Sequence, residues 1–270
     1  MFRTYFHLFS DGALLFIFPI LSCIALFLIT YLLRRYRKCL GLDSYDSDIL
    51  DTATQNTMSG GYVVLGFVLV LAMTTVSELE SGVSKEAAAI RGLDRMLVLE
   101  GSAPALESRK YLLEYTKSIL QDEWPELKDG RGSDKTSIAL RNLFSALDQI
   151  GSGTIKDNVV YSKVLDQADR VAELRNNRNY NVQSNLPDTF YIVSFVSLIG
   201  VILICGLRLI EATRVRTVAL AIQVVMLTLM FSAVVIVDLP YIGDTVTSSE
   251  AIQKAYESIL SQVPNQNLKP

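Results

Sequence analysis

The stretch that decides the fold is Gly61–Ile90, GYVVLGFVLVLAMTTVSELESGVSKEAAAI. Its first half is apolar enough for the interior of a membrane, whereas its second half carries charges and places apolar residues at helical spacing. From Thr74 to Ile90 the stretch holds no proline, and Gly82 is the only weak point there as a helix. It therefore predicts one continuous helix from about residue 60 to 99, about 60 Å long, that leaves a membrane and enters a water-soluble domain.

Three other apolar segments accompany this one, and the four form two pairs around a polar block, residues 78–186. Each is about 20 residues long, close to what a helix needs to cross about 30 Å of hydrocarbon. We therefore predict an all-α membrane protein with four transmembrane helices, in two hairpins that flank a soluble helical bundle. The apolar segments are Gly12–Leu33, Met58–Val76, Phe190–Leu209 and Thr217–Val237. The predicted domains are a first hairpin at 1–77, the helical domain at 78–186, a second hairpin at 187–238 and a C-terminal tail at 239–270.

The polar block has the pattern of a helical bundle. It contains 15 Lys or Arg and 17 Asp or Glu, a mixed surface without a basic patch, and the whole chain has a net charge of −3. This balance gives a nucleic-acid partner no electrostatic support, so none is expected. Pro104, Pro125 and glycines within 130–132 and 151–153 predict breaks between helices. Val171–Asn185 is predicted to lead almost directly into the third membrane helix.

Several classes of site are excluded by composition. Two of the three cysteines lie in apolar segments and the third lies in a connector, so no disulfide framework or metal-ligand cluster is available. His7 is the only histidine, and we expect an interfacial side chain there. Gly130-Arg131-Gly132 lacks the preceding strand and the following Lys–Ser/Thr of a phosphate-binding loop. The sequence predicts neither enzyme activity nor a metal or cofactor.

Basic residues in the short connectors predict the orientation. Arg34-Arg35-Tyr36-Arg37-Lys38 follows the first apolar segment, which predicts a retained membrane helix rather than a cleaved signal. The third connector carries Arg208, Arg214 and Arg216. By the positive-inside rule both connectors are cytoplasmic. The N-terminus, the polar block and the C-terminal tail are then predicted on the outer side of the membrane.

Small and hydroxylated residues on the second apolar segment suggest a functional face. Gly60, Gly61 and Gly66 favour close helix packing, either around a pore or between subunits, or simply within one chain. Thr74 and its neighbours make the outer end of the segment polar. They either line a water-filled mouth or only mark the membrane boundary.

Two acidic residues are candidates for gating or ion binding. Asp238 ends the fourth apolar segment, where a carboxylate either binds an ion or caps the turn that follows. Glu86 either serves such a role or pairs across the bundle with an arginine. The candidate structural partners are Arg170, Arg175 and Arg178.

Five short sequence motifs occur in a fixed order along the chain. They are Glu86-Ala87-Ala88-Ala89-Ile90, Tyr115 ahead of Glu123-Trp124-Pro125, Arg175-x-x-Arg178, Leu186-Pro187, and Asp238-Leu239-Pro240-Tyr241-Ile242-Gly243. The ordered set, which covers most of residues 58–245, resembles a bacterial family of membrane proteins called bestrophin-like. The resemblance implies a bacterial cytoplasmic-membrane protein with the layout of bestrophins, which are pentameric anion channels with four membrane helices.

The same resemblance implies roles for particular residues. The second membrane helix would line a central pore, with Tyr62, Phe67 and Val70 among the neck residues. Bestrophins keep the helical domain in the cytoplasm, whereas the connector charges of this chain predict it outside. Two functions follow: a homo-oligomeric channel for small anions, or a non-conducting sensor or scaffold whose bundle binds a partner. A secondary transporter is third, because four helices without a discontinuous pair are unlike that class.

Overall fold

A computed structural model describes residues 11–39, 47–150, 155–182, 186–238, 241 and 247–262. Every regular element in these ranges is helical. The α-helices are α1 (Asp11–Arg35), α2 (Ser47–Glu100), α3 (Ala103–Ser118), α4 (Trp124–Leu127), α5 (Asp134–Leu147), α6 (Ile155–Tyr180), α7 (Asp188–Arg208), α8 (Arg214–Val237) and α9 (Glu250–Gln262). A π-helix (Ile119–Glu123) and two 3₁₀ turns (Asp148–Ile150 and Leu209–Glu211) complete the described elements.

The chain forms two compact units. The first, called the membrane unit, comprises Met1–Val76 and Ser184–Val246. The second, called the bundle unit, comprises Ser77–Gln183 and Thr247–Pro270. Helix α2 contributes residues to both units.

The membrane unit is built from helices that are long and apolar enough to cross a bilayer. Such spans lie at Asp11–Arg35, Asp48–Glu100, Asp188–Glu211 and Arg214–Val237. Leu26, Leu65 and Leu227 are among the side chains of its buried core. Buried Thr30 and Thr228 donate their hydroxyls to the carbonyl four residues earlier, each at 2.7 Å. Their polar groups are thereby satisfied without a partner on another helix.

The bundle unit has its own apolar core, shared by α2, α3, α5, α6 and α9. Helix α9 was not anticipated, because the sequence predicts only a tail at 239–270. Its Ile252, Ala255 and Ile259 are three or four residues apart and fully or almost fully buried. The last described helix of the chain is therefore part of the bundle core.

Helix α2 is longer than the hydropathy pattern predicts. It begins at Ser47 rather than near residue 60, and its 54 residues extend about 80 Å. The added turns are polar, with exposed Gln55 and Asn56, so no apolar run marks them. Thr54 in these turns is buried, and its hydroxyl donates to the Leu50 carbonyl of the same helix.

One predicted helix break is wrong. Pro125 does not break the chain, because the π-helix Ile119–Glu123 precedes it and α4 continues directly through it. The predicted lead from Val171–Asn185 into the third membrane helix falls partly on residues 183–185, which lie outside the described residues. Helix α6 ends at Tyr180, and Pro187 is the N-cap of α7 rather than part of its first turn. Proline disfavours helical backbone at the residue before it, which agrees with the start of α7 after Leu186-Pro187.

Candidate functional site

One face of α2 in the membrane unit is left uncovered by the other described residues. Val63, Phe67 and Val70 are 72%, 61% and 61% exposed, and Thr74 is also exposed. A Cβ added at Gly60 would meet no atom within 4 Å. These five residues follow one another at steps of three and four, so they lie in one line along the helix. We call this line the α2 stripe.

The other candidates on α2 pack within the chain. A Cβ at Gly61 would lie 3.2 Å from Val201 Cγ2, so the absent side chain permits a close approach of α7. Tyr62 donates its hydroxyl to the Gln223 carbonyl of α8 at 3.0 Å. A Cβ at Gly66 would lie 3.8 Å from the Met230 side chain.

The chemistry of the α2 stripe is apolar in its middle and polar at one end. No Asp, Glu, Lys or Arg occurs between residues 60 and 77. Thr74 donates its hydroxyl to the Val70 carbonyl at 2.9 Å, which leaves the oxygen able to accept a further hydrogen bond. A ring of such helices would present apolar side chains bordered by hydroxyls.

A second candidate region is a buried charge network in the bundle unit. Arg178 donates to Glu86 Oε2 at 2.8 Å and to Glu123 Oε1 at 2.7 Å, so it bridges two carboxylates. Arg175 is hydrogen-bonded to Glu123 and donates to the Ser137 hydroxyl at 3.0 Å. Both glutamates are fully buried. Two guanidiniums and two carboxylates thus neutralise one another inside the bundle.

The network shifts the protonation equilibria of its members. Burial by itself raises the pKa of Glu123, but the hydrogen bond from Arg175 and the charges of Arg178 and Arg175 outweigh it and hold the pKa below its ordinary value. Burial lowers the pKa of Arg178, and the two glutamates more than reverse this. Burial and the charge of Glu86 raise the pKa of Tyr115 well above its usual range. The Glu123 carboxylate and the Arg178 guanidinium are therefore held ionised near neutral pH.

Residues of the network come from three of the five motifs that carry the family resemblance. Glu86, Glu123 and Arg178 come from these three motifs, and the Arg178 guanidinium also lies 5.5 Å from the Trp124 ring centroid. Glu123 was not assigned a role from sequence, although Glu123-Trp124-Pro125 marked its position. Arg170 lies apart at the surface, where it pairs with Glu173 at 2.8 Å.

Asp238 connects the two remaining motifs, its own and Leu186-Pro187, within the membrane unit. Its Oδ1 accepts the Leu186 backbone N–H at 3.0 Å, and its other oxygen accepts the Tyr191 hydroxyl. The aspartate is buried at the end of α8. It therefore links α8 to the start of α7, where Leu186-Pro187 precedes the helix.

Comparison with known proteins places this architecture in a family. The Bestrophin-like domain matches residues 60–252. A crystal structure of a bacterial bestrophin homologue from Klebsiella pneumoniae superposes with a TM-score of 0.69 at 11% identity, covering 92% of this chain and 98% of that one. A point variant of that homologue gives 0.69 at 12% identity, with 93% and 99% covered.

A crystal structure described as a membrane protein variant gives a TM-score of 0.68 at 11% identity, with 93% and 99% covered. No curated protein matches the sequence. At these identities the structural likeness establishes a shared fold: four membrane helices with a helical bundle between the second and third. Together with the domain match across most of its length, this fold shows that the chain belongs to the bestrophin-like family.

Proposed function

We propose that this protein is a homo-oligomeric ion channel in the bacterial cytoplasmic membrane, conducting small anions through a pore lined by the second membrane helix. The observation that carries the proposal is the α2 stripe. Its large apolar side chains are exposed in the single chain and lie in one line, as the lining of a symmetric ring requires. Membership of a family named for bestrophins supports the same function.

The composition of the α2 stripe favours selectivity by size and dehydration rather than by charge. Phe67 and Val70 would form a narrow apolar ring repeated in each subunit, which passes ions that lose water readily. Thr74 would place a hydroxyl oxygen, able to accept a hydrogen bond, at the mouth. A stripe without acidic or basic side chains does not set the sign of the permeant ion. The preference for anions is proposed from the resemblance to bestrophins.

Conduction is tested by recording from the purified full chain in planar bilayers under a chloride gradient. Phe67→Ala widens the proposed ring and is expected to raise the unitary conductance severalfold. The matched control is Phe16→Ala, because Phe16 is 71% exposed on α1, away from the stripe. Equal conductance in the two variants contradicts the assignment of the pore. A silent monomeric protein contradicts the channel itself.

The remaining candidates on α2 enter this proposal as helix-packing residues beside the pore. Gly61, Tyr62 and Gly66 would hold α2 against α7 and α8 of the same subunit and so keep the stripe directed to the axis. The subunit number proposed from the resemblance is five. Mass measurement of the detergent-solubilised protein tests it, and a monomer contradicts it.

We propose further that the basic connectors lie in the cytoplasm, so that the bundle unit is outside the cell. Arginine and lysine flank α1 and the α7–α8 turn, as the positive-inside rule requires. The bestrophin arrangement is the opposite one. A reporter fused at the C-terminus distinguishes them: phosphatase activity places the bundle unit outside, whereas cytoplasmic fluorescence reverses the orientation.

A further inference from the structure

A cavity in the membrane unit lies where α2, α7 and α8 meet at their connector ends. Its volume is about 410 Å³, and it is lined by charged, amide, hydroxyl and apolar side chains. Gln55 and Ser59 are exposed at the cavity, whereas Met58 and Leu220 are buried. The cavity is therefore amphiphilic, and neither the pore proposal nor the buried charge network uses it.

Two arginines and one aspartate give this cavity an excess of positive charge. Arg208 is buried and binds Asp51 through two hydrogen bonds, one of them from Nη2 to Oδ2 at 2.8 Å. Arg216 Nη2 lies 3.4 Å from the same Oδ2, at the limit of a hydrogen bond, and this side chain is 45% exposed. One carboxylate thus faces two guanidiniums. Among the described lining residues, Arg216 keeps most of its donors for another partner.

The start of α8 adds to the positive potential. Thr213 caps this helix by accepting the Arg216 backbone N–H, so Arg216 lies in the first turn and lines the cavity. The amino end of a helix carries partial positive charge, which disfavours cations there and favours anions. The first turn contains two arginines and no acidic residue. An anion bound beside Arg216 would compensate the positive charge at the start of α8.

We propose that this cavity binds a phosphate group carried by a larger polar molecule. The charge excludes cations, and the planar guanidinium of Arg216 matches phosphate oxygens through paired hydrogen bonds. Gln55, Ser59 and Gln223 would bind hydroxyls attached to the phosphate. Two sources share this chemistry: the headgroup of an anionic phospholipid, and a soluble phosphate ester or free phosphate.

The choice of variants separates the cavity from general electrostatics. Arg216→Gln removes the free guanidinium and leaves the buried Arg208–Asp51 pair intact. Its matched control is Arg214→Gln, because Arg214 occupies the same helical turn but does not line the cavity. Ser59→Phe fills the cavity from α2 without changing its charge and provides an independent test where Arg216→Gln alters folding.

Binding is measured on the full chain in detergent. Phosphatidylglycerol and phosphatidylcholine are titrated with native mass spectrometry as the readout, and inorganic phosphate is titrated by thermal shift against sodium chloride of equal ionic strength. We expect phosphatidylglycerol or phosphate to bind the wild type. Arg216→Gln and Ser59→Phe should each weaken binding about tenfold or more, whereas Arg214→Gln should change it less than about threefold.

Each result has one meaning. Phosphatidylglycerol binding without phosphate binding supports the lipid source, and binding of both supports a site for phosphate itself. Equal binding of phosphatidylglycerol and phosphatidylcholine with no response to phosphate overturns the proposal. Equal losses in Arg216→Gln and Arg214→Gln, together with unchanged binding in Ser59→Phe, also overturn it. The result is independent of conduction, so a silent protein does not decide it.

Discussion

The membrane unit and the bundle unit bury polar groups in different ways. In the bundle unit, Glu86, Glu123, Arg175 and Arg178 are buried together as a neutral network. In the membrane unit, buried hydroxyls bond to their own helix, and the buried Asp238 lies at a helix end. A charged group in the middle of a membrane can be stabilised only by other groups of the protein, whereas the core of a soluble bundle can hold several paired charges. The bundle unit thus has a network of ion pairs within its core, whereas the membrane unit keeps its buried charges, Asp238 and Arg208, at helix ends.

Each unit contains its own reporter, which allows the comparison to be tested in the intact protein. Trp124 is the only tryptophan and lies in the bundle unit, so its fluorescence follows the unfolding of that unit. Cys205 is buried in the membrane unit. In a background with the other two cysteines replaced by serine, its reaction with a thiol dye follows the unfolding of the membrane unit.

The largest effect is expected from Glu123→Ala. The change leaves the buried Arg175 without its carboxylate and removes one of the two partners of Arg178, which should lower the free energy of unfolding of the bundle unit by about 3–5 kcal/mol. Urea titration followed by Trp124 fluorescence measures it. The control is Arg170→Ala, which removes an exposed pair and should change the value by less than about 1 kcal/mol. Equal losses of stability in the two variants would contradict a stabilising role of the buried network.

A smaller loss is expected from Asp238→Asn in the membrane unit. The carboxylate accepts hydrogen bonds from the Leu186 backbone and the Tyr191 hydroxyl, and an amide retains only one accepting oxygen. Stability measured through Cys205 should fall by about 1.5–3 kcal/mol. Asp188→Asn, at an exposed first-turn aspartate, is the control. Unchanged stability with altered conduction would instead make Asp238 a gating or ion-binding residue.

Acid should weaken the bundle unit in part through Glu123. Its pKa in the folded protein is lower than its ordinary value of 4.5. The carboxylate therefore contributes its full stability above that value, and the contribution is lost as pH falls through the folded pKa. Fluorescence-detected unfolding between about pH 3 and pH 6 should show a shallower dependence in Glu123→Gln than in the wild type. Parallel curves would show that other carboxylates cause the acid loss.

The smallest expected effect has the opposite sign. The buried Tyr115 hydroxyl has no hydrogen-bond partner among the described residues, so Tyr115→Phe should stabilise the bundle unit by up to about 1 kcal/mol. Trp124 fluorescence again provides the measurement. A loss of stability in Tyr115→Phe would indicate that its hydroxyl is hydrogen-bonded in the folded protein.

In the membrane unit, Tyr62→Phe removes the hydrogen bond to the Gln223 carbonyl and should lower the free energy of unfolding by about 0.5–1.5 kcal/mol.

Local pattern predicted the helical architecture well but missed elements that depend on packing. The four apolar segments are confirmed as long apolar helices, and the polar block is confirmed as helical. The polar start of α2 and the whole of α9 were missed, because neither has a long apolar run. Pro125 was expected to break a helix, yet the π-helix before it accommodates the proline without an interruption. The sequence pattern gives the conformational preference of a segment, whereas tertiary packing decides where the helix begins and ends.

The candidate sites show the same limit. Sequence named Glu86 and three possible arginine partners, but the structure pairs Glu86 with Arg178 and leaves Arg170 on the surface. On α2, six residues were candidates for the pore lining. Phe67, Val70 and Thr74 lie on the open stripe, whereas the other three pack against α7 and α8 or contact them. Helical periodicity shows that residues share a face without showing which neighbour covers it.

The sequence by itself determined that the chain has four membrane helices and a helical domain between the second and third. Hydrophobic transfer free energies add along a segment, so composition alone decides which helices enter a bilayer. Only the tertiary structure decided that Glu86 and Glu123 share Arg178, which is 92 and 55 residues away from them. It also decided that Asp51, Arg208 and Arg216 meet at one cavity. Such pairings depend on where distant helices cross, and no local pattern contains that geometry.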